Sequence, residues 1–116
     1  MPEPRDLKTL IQEKGEDWAV AAVVDGSIGY YSPVGARHVV QDFLAGHKQC
    51  CSERCLACFG GDMAKMVRND LERFLYVEEH QPERAARVVA FCRQWERVEN
   101  PGDISGIGLA YPTLGF

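Results

Sequence analysis

The sequence predicts an α+β domain, one β-hairpin packed with about four helices, and three observations lead there. Apolar residues recur at helical spacing in four separate stretches. A continuous apolar run over 18–24 is rich in β-branched residues and is followed by Asp25-Gly26, a pair suited to a tight turn. The chain of 116 residues is 46% hydrophobic and 26% charged, which suits a single domain, 1–116, with one core.

Asp6 is placed to cap a first helix over about 6–14, in which Leu7, Leu10 and Ile11 share a face and Gly15 supplies the stop. The hairpin follows over about 18–31, with Ile28 to Tyr31 as its return strand. Ser32-Pro33-Val34-Gly35 closes it, because a residue before proline is pushed out of the helical region. Val39, Val40, Phe43 and Leu44 then mark a second helix, 36–46 or longer; its end depends on whether Gly46 terminates it. Gly60-Gly61 breaks the chain, and Asp62 caps a third helix over 62–79 with Met63, Met66, Val67, Leu71, Phe74 and Leu75 inward. Pro82 suits the first turn of a fourth helix, 82–99, whose stripe is Ala85, Val88, Val89, Cys92 and Trp95. The last fourteen residues hold three glycines and a proline and read as an irregular tail.

Charge and composition exclude several function classes. A net charge of −4 argues against a nucleic-acid surface or an anionic membrane as partner. No apolar stretch approaches the ~20 residues that span a bilayer. The opening Met-Pro-Glu-Pro-Arg-Asp has no basic stretch leading into an apolar run, so no secretory signal is expected and a cytoplasmic location is. Arg84, Arg87, Arg93 and Arg97 interleave with Glu83, Glu96 and Glu99, the pattern of an ion-paired face. His38 and His80 have no acid or nucleophile beside them, and no Ser–His–Asp arrangement or phosphate loop occurs.

The chemistry-bearing feature is the segment His-Lys-Gln-Cys-Cys-Ser-Glu-Arg-Cys-Leu-Ala-Cys, residues 47–58, with four thiols in nine positions. Cysteines clustered in a reducing compartment bind metal or react more often than they pair. An iron–sulfur cluster would take Cys51, Cys55 and Cys58, with Cys92 or Cys50 as the fourth thiolate. A zinc ion would take His47 and Cys50 with Cys55 and Cys58, or ligands drawn from Cys51 and Cys92. The spacing of Cys51, Cys55 and Cys58 resembles the iron–sulfur motif of radical S-adenosylmethionine enzymes. That resemblance spans eight residues; Ala57 stands where an aromatic residue usually precedes the last cysteine, and those enzymes use a much longer barrel.

Two metal-free readings compete. Cys55-Leu-Ala-Cys58 is a C-x2-C pair, with Lys48, Arg54 and His47 near enough in sequence to depress a thiol pKa. Alternatively, a second helix running through Gly46 would place His47, Cys51, Cys55 and Cys58 on one buried stripe, as small core residues. The sequence therefore leads to a small accessory or regulatory binding protein with a protein partner, holding an iron–sulfur cluster or zinc through the 50–58 segment. A metal-free inhibitor or adaptor, and a small thiol redox protein, are the alternatives.

Overall fold

The structure, a computed structural model, describes residues 6–96. Six helices run through it: α1 Leu7–Lys14, α2 Glu16–Gly26, α3 Pro33–Leu44, α4 Glu53–Phe59, α5 Met63–His80 and α6 Pro82–Glu96. No strand occurs among the described residues; a single antiparallel bridge joins Gln49 to Asp62. The fold is helical, and the expected hairpin over 18–31 is a helix followed by a loop.

The reason lies in how α2 is surrounded. It packs on α1, α3, α5 and α6, so it is apolar on every side and carries no helical stripe. Trp18 is only 6% exposed and the run from Ala19 to Val23 is wholly buried. A short apolar run enclosed by helices has the same composition as a buried strand, and periodicity cannot separate the two. Asp25-Gly26 is likewise no turn. The Asp25 carboxylate is buried inside the bundle, accepting from Arg84 Nη2 at 2.5 Å and Arg73 Nη1 at 2.7 Å. Gly26 is where α5 approaches, since a Cβ there would stand 2.3 Å from Asp70 Oδ1.

The remaining helices begin where their caps stand. Asp6 accepts from Thr9 N, Ser32 from Gly35 N and Asp62 from Lys65 N, each satisfying an amide the first turn leaves unpaired. Gln81 alone separates α5 from α6, which pack on each other and on α2. The helix α5 lays Met63, Met66, Val67, Leu71, Phe74 and Val77 into the core. Each such side chain, fully buried, contributes about 1.5–3 kcal/mol against exposure. On the far side, Arg37 of α3 binds Glu16 and Asp17 of α2 and Glu96 of α6, joining three helix ends. The irregular tail expected after residue 100 lies outside the described residues, as do the last residues of the expected fourth helix.

Candidate functional site

Gly46 resolves the central conformational question of the cysteine segment. Helix α3 stops at Leu44, and Gly46, at φ +97°, turns the chain with His47 N donating to Asp42 O at 3.0 Å. A side chain is strained at that φ, so glycine is the residue that ends the helix there. The buried stripe of His47, Cys51, Cys55 and Cys58 therefore does not form. Instead the chain crosses to the opening of α5: Met63 N donates to Lys48 O (3.1 Å) and Cys50 N to Gly61 O (3.0 Å). Those two bonds fix the backbone on both sides of Gln49.

Ser52 then starts α4, its hydroxyl accepting from Cys55 N at 3.2 Å. Arg54 anchors this short helix. Its guanidinium binds the buried Asp70 carboxylate and donates to Gly26 O at 3.2 Å, and it lies over the Phe59 ring. The cysteine segment is thus bound to α2 and α5 together.

The six residues considered as metal ligands stand in different settings. Cys50 is half-buried and Cys51 exposed in the loop; Cys55 is buried and Cys58 exposed on α4. His47 is exposed, with Nδ1 4.0 Å from Asp42 Oδ1. Cys92 is buried on α6, where burial, then the nearby Glu96 carboxylate, push its thiol up to about 12. Helix α4 packs against α5, whereas α6 packs against α2, α3 and α5. Among the described residues no group of three or more His, Cys, Asp or Glu side chains could hold a metal ion. The metal-binding reading thus finds no support among the described residues: the short sequence spacing becomes a loop turning into a seven-residue helix.

What the fold does bring together is Cys50 and Cys55. Burial raises the proton affinity of Cys50, but its hydrogen bonds outweigh that. The Ser52 hydroxyl stands 3.4 Å from its sulfur, the Ser52 amide donates to it, and the Cys55 thiol and Tyr31 hydroxyl are further donors. The result is a pKa below the ordinary thiol value. Cys55 moves the opposite way, up to about 11, because it is buried and because an ionised Cys50 would sit beside it. The two thiols thus differ in proton affinity across one contact, the lower belonging to the one with access to solvent.

Tyr31 completes the site from the loop after α2. Its hydroxyl lies 2.5 Å from Ser52 Oγ and 3.4 Å from Met66 Sδ, while its own pKa is raised to about 12, chiefly by burial. Above the pair, a groove of about 420 Å³ is lined by Lys48, Cys50, Cys51, Leu56, Gly61 and Asp62, among others. A volume of that order accommodates a small molecule or a peptide segment.

Sequence reasoning missed Tyr31 and passed over Ser52. Ser52 carried a readable signal, a serine three residues before Cys55 at a helix start. Tyr31 carried none, since its contact with Ser52 is made across 21 positions of chain by the packing of the α2–α3 loop on α4. Comparison with protein-family models, with curated proteins and with solved structures found no match to this chain.

Proposed function

We propose that this chain is a small cytoplasmic thiol protein that reduces a disulfide through Cys50, with Cys55 as the resolving thiol. The observation that carries the reading is the contact between a half-buried Cys50 opening on a groove and a fully buried Cys55 behind it. Thiolate, not thiol, is the nucleophile, and the donors around Cys50 favour thiolate.

The exchange balances within the pair and its substrate. The Cys50 thiolate attacks one sulfur of a disulfide RS–SR′; the S–S bond breaks and R′S⁻ leaves, taking a proton. Cys55 loses its proton and attacks the Cys50 sulfur, forming the Cys50–Cys55 disulfide and releasing RS⁻, which is protonated in turn. Two protein thiols are oxidised and one substrate disulfide is reduced to two thiols. A reducing compartment returns the pair to the dithiol.

The test equilibrates the full chain, without oxygen, against graded ratios of reduced and oxidised glutathione. Free thiols are then trapped by a maleimide and mapped by peptide mass. A single Cys50–Cys55 disulfide forming in one two-electron transition is expected, with Cys55→Ser arresting as a mixed disulfide on Cys50. Oxidation scattered over Cys51 and Cys58, or Cys50 alkylated no faster than those exposed thiols, overturns the reading.

A further inference from the structure

The groove beside Cys50 has a neighbour. A second hollow, also of about 420 Å³, is lined by Lys8 of α1, Phe43 of α3, His47, Lys48, Asp62 and Ala64, so Lys48 and Asp62 border both spaces. Lys48 stands two residues before Cys50, in the stretch whose backbone is fixed against α5. The second hollow has apolar wall in Phe43 and Ala64 and positive charge at its rim.

Many basic groups of the bundle are matched: Lys14 with Glu78, Arg37 with Glu16, Asp17 and Glu96, Arg54 with Asp70, and Arg73 and Arg84 with Asp25. Of the exposed basic groups without an ion pair among the described residues, Lys8, Lys48, Lys65 and Arg87, the first two line one hollow together. Lys8 and Lys48 are both exposed, and neither ammonium makes an ion pair or hydrogen bond with another described residue. Of the acidic groups nearby, Asp62 is engaged in capping α5, where it accepts from Lys65 N at 3.2 Å, and Asp42 faces His47. On a chain of net charge −4, these two ammonium groups bring positive charge to a hollow beside a thiol groove.

We propose that the second hollow seats the carboxylate-bearing arm of a small anionic disulfide, with Lys8 and Lys48 holding its negative charge while its sulfurs meet Cys50. This rests on the disulfide-reducing role given above and supplies its substrate class. Ammonium groups hold carboxylates as point charges, without a fixed fork geometry, so charge rather than one particular shape is selected.

The experiment compares three disulfides of different charge on full-length protein in a Cys51→Ser/Cys58→Ser background: dianionic dithiobis(nitrobenzoate), neutral dithiodipyridine and cationic cystamine. Lys8→Gln/Lys48→Gln in the same background should slow the dianion about tenfold at low salt, as expected for loss of electrostatic attraction. The neutral probe should keep its rate, and cystamine should react no slower. The deficit for the dianion should shrink as salt is added. An unchanged rate for the dianion, or equal slowing of the dianion and the neutral probe, overturns the proposal. Failure of the underlying thiol role reads differently: Cys50→Ser would then leave the rate with neutral dithiodipyridine unaltered, whatever the lysines do.

Discussion

Arg54 meets Asp70 through two parallel bonds, Nη2 to Oδ1 at 2.7 Å and Nη1 to Oδ2 at 2.9 Å, and the carboxylate has no exposure to solvent. This fork joins α4 to α5 and gives the cysteine helix a fixed position relative to the core. Because α4 spans only seven residues, its own hydrogen bonds would not hold it folded alone.

Removing Arg54 therefore leaves a buried charge without its principal partner. Arg54→Met should cost about 3–5 kcal/mol in urea unfolding at neutral pH. The pH dependence has a definite sign. Burial raises the Asp70 pKa above its unfolded value, and Arg54 opposes that rise. The folded state therefore binds the proton more tightly, and stability falls as pH climbs from the unfolded pKa through the folded one. Without Arg54 that fall should extend to higher pH, so the deficit of the variant shrinks on acidification. A deficit that is constant from acid to neutral pH would show that the lost packing of Arg54 on Phe59, rather than the charge, is responsible.

Ile28 sits in the loop after α2 at φ +52°, the left-handed region, with 73% of its surface exposed. A β-branched residue is disfavoured there by about 1–2 kcal/mol, and its exposed side chain gains little burial in exchange. Ile28→Asn should raise unfolding stability by about 1 kcal/mol, since asparagine tolerates the left-handed conformation. Ile28→Gly should gain less, because glycine also widens the unfolded ensemble. A destabilised asparagine variant would indicate that the Ile28 side chain makes a favourable contact.

Cys92 should govern part of the alkaline behaviour. Its folded pKa is raised from 9.0 to about 12 by burial and by the Glu96 carboxylate. A raised pKa gives stability that is fully present below the unfolded value and is lost as pH rises toward the folded one. The loss should run from about pH 9 to 12, and Cys92→Ala should flatten it despite a lower stability at neutral pH. If the slope of stability against pH is the same in both proteins over that range, the alkaline loss originates elsewhere.

How much of this was legible in the sequence differs from element to element. Asp6, Asp62 and Pro82 announced the starts of α1, α5 and α6 because capping is a local exchange between a side chain and the next turn. The α2 helix was illegible because its signal is the absence of a polar face, which only the helices enclosing it explain. Gly46 was correctly singled out as the deciding residue, but its φ of +97° is a property of the folded turn. Within the cysteine segment, chain spacing suggested convergence of Cys51, Cys55 and Cys58. Pairing Cys50 with Cys55 required the loop to be fixed by bonds to Gly61 and Met63, and no local pattern encodes those.

The donors around Cys50 can be separated by substitution. Ser52 supplies the largest favourable contribution to the Cys50 thiolate through its hydroxyl, and Tyr31 a smaller one. Ser52→Gly and Tyr31→Phe should both raise the Cys50 pKa, Ser52→Gly by more, and so reduce the thiolate fraction at neutral pH. Glycine is preferred to alanine at Ser52 because it forfeits only a few tenths of a kcal/mol as an N-cap, which separates the thiol effect from fraying of α4. Cys55→Ser keeps a donor beside Cys50 and should shift it little, whereas Cys55→Ala removes the donor and should shift it upward. The measurement is the iodoacetamide rate at Cys50 as a function of pH, resolved by peptide mass. The predicted order of midpoints is wild type, then Tyr31→Phe, then Ser52→Gly, with Cys55→Ala above Cys55→Ser. A midpoint that ignores all four changes would mean that solvent, not this network, sets the reactivity of Cys50.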